Sequence, residues 1–101
     1  MYIIIWEYRI KPEKQAEFEN IYATNGVWAE LFKKGTGYLG TELICSTELP
    51  EQYVTIDRWD SAEDYEAFLS QWNDAYKKLD LMYEGLTEHE SCLGKFTSSS
   101  S

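Results

Sequence analysis

Side chains able to move a proton beside an aromatic surface cluster in one run, Tyr53-Val54-Thr55-Ile56-Asp57-Arg58-Trp59. In an extended chain Tyr53, Thr55, Asp57 and Trp59 share one side, while Val54, Ile56 and Arg58 share the other. A carboxylate among aromatic rings loses solvation, its pKa rises, and it becomes competent as a general base. The alternative role for Asp57 is a salt bridge to a cation on a helix or neighbouring strand. His89 is the only histidine. It is the one side chain with an ordinary pKa near neutrality, and so a second candidate base. It sits between Glu88 and Glu90, where a solvated edge position is the competing reading. Tyr65 can donate its hydroxyl to a ligand oxygen or, as a rim residue, to water. Trp6, Tyr8, Thr55, Asp57, Trp59, Phe68 and Trp72 together supply walls for a planar ligand, with plain core packing as the alternative for the rings.

These side chains need elements to position them. Residues 2–10, YIIIWEYRI, are β-branched and aromatic and predict a strand with Tyr2, Ile4, Trp6, Tyr8 and Ile10 on one face. Ile3, Ile5, Glu7 and Arg9 occupy the other. Lys11-Pro12 opens a helical arm over 12–34, with stripes Phe18/Ile21/Tyr22 and Trp28/Leu31/Phe32 separated by Thr24-Asn25-Gly26. Residues 37–46 predict a second strand, with Leu39, Thr41, Leu43 and Cys45 on a shared face, and 53–59 a third. Ser61 begins a capping box, and one helix carrying Tyr65, Phe68, Leu69, Trp72, Tyr76 and Leu79 follows. Residues 86–96 predict the last strand. The order β-α-β-β-α-β is the split βαβ pattern of the α+β ferredoxin-like fold: a four-stranded antiparallel sheet, order 4-1-3-2, with helices on one face. One domain spans 1–96, and 97–101 reads as a disordered polar tail.

Helices on one face leave the other bare, and that face carries Ile3, Ile5, Val54 and Ile56. An apolar patch of this kind predicts a homodimer that buries it isologously. The alternative is a one-sided sheet solvated by Glu7, Arg9 and Arg58.

The 101 residues suit one domain, and 44% hydrophobic content with four Trp, eight Tyr and four Phe suits a packed core. A formal charge of −9 opposes binding to nucleic acid or to an anionic membrane surface. Cys45 and Cys92 lack any CxxC or histidine partner motif, so no metal site is expected. Their placement on opposite edges of the sheet predicts two free thiols. No signal peptide or apolar run of membrane-spanning length is visible, and the expectation is a cytoplasmic protein.

The segment Tyr53-Val54-Thr55-Ile56-Asp57-Arg58-Trp59-Asp60-Ser61, with Tyr65 and Phe68, resembles the antibiotic biosynthesis monooxygenase family. Gly37-Tyr38-Leu39-Gly40-Thr41 and Leu86-Thr87-Glu88 add to the resemblance, which extends over about residues 2–96. It implies a dimeric α/β barrel with a pocket between sheet and helices. It also implies oxidation of a small aromatic or enolisable molecule without metal, flavin or haem: the substrate is deprotonated and its anion reacts with oxygen. By this resemblance the pocket tryptophan is Trp59 and the pocket tyrosine Tyr65, and with His89 they form the candidate catalytic set. The family's asparagine falls on Thr55, and its later arginine has only Lys77 or Lys78 nearby. In haem-degrading relatives the functional positions correspond to Tyr8, Phe68 and Lys78, all different residue types, so haem degradation is not expected. Two other functions fit the residues: a non-catalytic dimeric ligand-binding module, and a proton-transfer enzyme of the isomerase type using His89 or Asp57.

Overall fold

A computed structural model of the chain describes residues 1–98. Strand β1 (Tyr2–Ile10) leads through a 3-10 turn (Pro12–Lys14) into helices α1 (Gln15–Tyr22) and α2 (Val27–Phe32). Strands β2 (Tyr38–Cys45) and β3 (Gln52–Trp59) follow, then helices α3 (Ala62–Gln71) and α4 (Asn73–Tyr83), a second 3-10 turn (Glu84–Leu86) and β4 (Thr87–Thr97). The strands form one antiparallel sheet in the order β2-β3-β1-β4. This is the ferredoxin-like α+β arrangement expected from the order of the elements.

Local chemistry explains the breaks. The α1–α2 corner turns at Gly26, where a Cβ would lie 2.5 Å from the Ile21 carbonyl oxygen, so only glycine fits. At the start of α3 the Ser61 hydroxyl accepts the Asp64 backbone N–H, 3.1 Å away, as the capping pattern predicts. The single helix expected beyond it is two helices. Trp72 leaves helical geometry (φ −113°, ψ 23°), and Trp72, Asn73 and Asp74 are successive weak helix formers.

The inner face of the sheet packs on the helices. Ile4, Tyr8 and Ile10 of β1 and Tyr53, Thr55, Asp57 and Trp59 of β3 are buried there against Phe18, Ile21, Leu31, Phe32 and Phe68. On the outer face Ile3, Ile5, Val54 and Ile56 are only half-buried, and Ile44 and Phe96 extend the apolar patch with greater exposure.

Three irregularities in the ladders, at Leu39 in β2 and at Glu88 and Leu93 in β4, set which side chains point inward. In β2, Tyr38 pairs with Trp59 and Gly40 with Arg58, so Leu39 has no partner. Gly40 takes up the irregularity at φ +138°, a conformation L-residues rarely adopt. Leu39 is therefore 50% exposed rather than facing inward with Thr41, and Tyr38 turns to the inner face instead. In β4, Ile5 pairs with Gly94 and Trp6 with Cys92, leaving Leu93 out of the ladder. β4 also continues through Thr97, and the Ser98 N–H donates to the Met1 carbonyl; of the tail expected at 97–101, residues 99–101 lie outside the described residues. Cys45 and Cys92 are exposed, unbonded thiols on the two edge strands. Among the described residues no helix is long and apolar enough to cross a membrane.

Candidate active site

A cavity of about 270 Å³ opens between the inner sheet face and helices α1, α2 and α4. That lies at the small end of ligand-sized pockets, roughly 300–1,000 Å³. Trp6, Tyr8, Tyr22, Trp28, Phe32 and Tyr76 supply aromatic walls. Thr41, Thr55, Asp57, Asp80 and Glu90 supply the polar ones.

Asp57 is the chemical centre of this set. It is a strand residue flanked in register by Thr41 on β2 and Ile4 on β1, and it is only 6% exposed. Thr41 Oγ1 donates to Asp57 Oδ1 at 2.7 Å. The Tyr38 hydroxyl lies 2.5 Å from Thr41 Oγ1. A threonine hydroxyl has one proton, which here goes to Asp57, so Tyr38 donates to Thr41. The result is a directed relay, Tyr38 to Thr41 to Asp57. No cation pairs with Asp57, and among the described residues its second carboxylate oxygen has no hydrogen-bond partner. Burial pushes its pKa up to about 6, partly countered by the Thr41 hydrogen bond. A carboxylate in this state is ionised at neutral pH and is a much stronger base than a solvated one.

The neighbouring hydroxyls have the opposite character. Tyr8, 3.3 Å from Thr55 Oγ1, has its pKa raised by desolvation, as has Tyr76. Both remain neutral hydrogen-bonding groups. Glu90, at the cavity rim, is raised by burial and then by the charge of Asp80.

Of the residues singled out from sequence, the structure brings Trp6, Tyr8, Thr55 and Asp57 together around this cavity. Trp59, Tyr65, Phe68 and Trp72 do not line it. Trp59 has no exposed surface and is enclosed by Phe32, Tyr38, Tyr65 and Phe68, with ring centroids 5.2–6.0 Å away. Tyr65 is buried beside it, and desolvation followed by the charge of Asp57 pushes its pKa up to about 12. His89 pairs in register with Arg9 and is exposed on the outer face, opposite the cavity. The lining residues that sequence reasoning left out are Tyr22, Trp28, Phe32, Thr41, Tyr76, Asp80 and Glu90. Signals existed for several: Tyr76 and Asp80 are four apart on one helix, and Glu90 has the strand parity opposite to His89. Among the described residues no group of three or more His, Cys, Asp or Glu side chains is placed to hold a metal ion.

The ferredoxin-like α+β fold of this chain is similar to that of several solved structures. SnoaB, a cofactor-independent oxygenase from Streptomyces nogalater, superposes with a TM-score of 0.79 over 99% of this chain and 94% of its own, at 19% identity. A mutant of the same enzyme gives 0.81 at equal coverage and identity. A Nitrosomonas europaea protein classed among the antibiotic biosynthesis monooxygenases gives 0.73 over 98% and 99%, at 14% identity. A sequence comparison with curated proteins gives no match. The family model for antibiotic biosynthesis monooxygenases matches residues 1–78, and the chain belongs to that family.

Proposed function

We propose that this protein is a cofactor-independent oxygenase of a small aromatic or enolisable molecule, with Asp57 as the base. The observation that carries the reading is Asp57 itself: a buried carboxylate without a cation, one oxygen free, on the wall of an aromatic cavity. The substrate ring stacks among Trp6, Trp28 and Phe32, and Tyr8 and Thr55 offer hydroxyls to its oxygen. Asp57 removes a proton from an activated CH₂, leaving a carbanion delocalised into the ring system. The carbanion carbon bonds to O₂, which becomes a peroxide and takes the proton back. Loss of the second C–H proton with cleavage of the O–O bond yields a ketone and water: R₂CH₂ + O₂ → R₂C=O + H₂O. The substrate provides all four electrons, so no further reductant is required. The aromatic walls of the cavity limit water around the anion.

Oxygen uptake with a panel of anthrones, which carry the activated CH₂, tests this. The expected result is turnover by wild type and a loss of about 10²–10⁴-fold in Asp57→Asn, the usual worth of a general base. Panel members that bind without consuming oxygen would overturn it. Among the described residues no cation lines the cavity, so a long-lived anion has only the Tyr8 and Thr55 hydroxyls to support it, which favours a second reading, proton transfer alone. Solvent deuterium exchange into a keto-enol ligand without oxygen uptake would select that reading.

The same proposal includes a homodimer through the open sheet face of Ile3, Ile5, Val54 and Ile56. Two exposed free thiols fit a reducing compartment such as the cytoplasm.

A further inference from the structure

The cavity has a one-sided electrostatic character that the oxygenase reading does not explain. Asp57, Asp80 and Glu90 line it, and no lysine, arginine or histidine does. Among the described residues, the ion pairs are Lys14–Glu17, Lys33–Glu30 and Arg58–Glu42, so none of the three lining carboxylates has a cation partner. Two lysines sit over rings that do not line the cavity, Lys34 over Trp72 and Lys95 over Tyr65. Nor do the three carboxylates converge as a metal cage. Asp57, nine-tenths buried on the wall of the same cavity with one oxygen unpartnered, bears a desolvation cost that the Thr41 hydrogen bond eases and no charge compensates.

Around these carboxylates stand six aromatic rings, from Trp6, Tyr8, Tyr22, Trp28, Phe32 and Tyr76. Ring faces attract cations through their quadrupoles, most strongly where water is excluded. Carboxylates at the rim and ring faces at the walls favour the same ligand, one that brings positive charge. The oxygenase chemistry adds a reason. Removing a proton from the substrate creates a new anion beside three acidic side chains, and a positive charge within the same molecule offsets that repulsion.

We propose that the cavity selects an aromatic ligand carrying a protonated or quaternary amine, with the ring among Trp6, Trp28 and Phe32 and the ammonium between Asp80 and Glu90 at the rim. This deepens the preceding reading and rests on the cavity being its substrate site.

Three matched naphthols test it by isothermal titration at pH 7.5: 6-(aminomethyl)-2-naphthol, 6-methyl-2-naphthol and 6-hydroxy-2-naphthoate. The ammonium compound should bind at least tenfold tighter than the neutral one, the carboxylate should bind weakest, and the ratio should shrink with salt. In the double variant Asp80→Asn/Glu90→Gln the ammonium-to-neutral ratio should fall toward one. Both substitutions are at exposed positions and leave the core untouched. Equal affinity for the ammonium and neutral compounds, or a preference that survives the double variant, overturns the proposal. Oxygen uptake on the anthrones, which carry the activated CH₂ that the naphthols lack, separates the two readings. Turnover without charge preference overturns this inference and leaves the oxygenase reading standing. Charge preference among the naphthols without turnover of any bound anthrone does the reverse. No binding by any of the three at millimolar concentration overturns both.

Discussion

Thr41 and Asp57 are cross-strand partners on β2 and β3, and the Thr41 hydroxyl is the single hydrogen bond to the Asp57 carboxylate among the described residues, at 2.7 Å. Because that bond favours the ionised form, it restrains the upward push that burial exerts on the Asp57 pKa. With Asp57 as the base, kcat/KM should rise with pH through a midpoint near 6 and then level off. Thr41→Val keeps the shape of the side chain and deletes the donor, so the midpoint should move to higher pH. The variant also strips the Tyr38 hydroxyl of its acceptor, at a stability cost of about 1 kcal/mol. A pH–rate profile of the two proteins checks this; an unmoved midpoint would remove Asp57 from the assignment.

Stability should depend on the same carboxylate in a defined direction. The native state holds the Asp57 proton more tightly than the unfolded chain, with a pKa of about 6 against 3.8. Its contribution is therefore fully present below about pH 4 and is lost as pH rises to about 6. Asp57→Asn retains an acceptor for Thr41 and carries no charge. Relative to wild type it should gain about 2 kcal/mol between pH 4 and 7, a rise on the order of 10 °C in a domain of this size. Thermal melts across that range read the difference, and a constant offset would mean that Asp57 is not desolvated. A protein that is more stable without its base is the expected signature of a carboxylate held for function.

Much of this arrangement was legible in the chain. β-branched and aromatic residues occupy both faces of β1 and β3, so both read as strands by composition, and the period of two then places Asp57 on one side with Tyr53, Thr55 and Trp59. Element order then dictates the sheet order. What parity misses is any insertion into the ladder. The bulge at Leu39 turns Tyr38 inward and seats Thr41 opposite Asp57; Gly40 marks it, but a glycine in a strand does not state which neighbour is expelled. Nor does a helical stripe separate rings that fill a core from rings that border a cavity. Trp28 and Trp59 are both buried aromatics, and only the docking of α2 and α4 on the sheet leaves space beside the first and none beside the second.

That difference makes Trp59 a packing residue whose removal acts on folding. With no exposed surface and four aromatic neighbours, Trp59→Ala should cost about 3–5 kcal/mol. Trp59→Phe should lower the melting temperature yet keep kcat/KM per folded molecule within about threefold, because ring contact with a bound ligand is not lost. Denaturant titration combined with active-site-normalised rates distinguishes the two effects. A large fall in rate at unchanged stability would assign Trp59 to the chemistry.

The outer face supplies the last test. Ile5 and Ile56 are cross-strand partners there, each half-buried, on the side of the sheet opposite the helices. If two chains bury this patch about a twofold axis, one substitution acts twice, because each interface contains both copies of residue 56. Ile56→Lys would then desolvate two ammonium groups within one interface, a cost of several kcal/mol that a standard interface does not absorb. Sedimentation equilibrium should give twice the 11.8 kDa chain mass for wild type and the single-chain mass for Ile56→Lys. Circular dichroism on the same sample reports whether the separated chain stays folded. A folded monomer places Ile56 in the contact, since the substitution has then cost the chain its partner and not its fold. A variant that remains dimeric would move the interface off this face, because a pair of lysines cannot be buried at its centre without separating the chains.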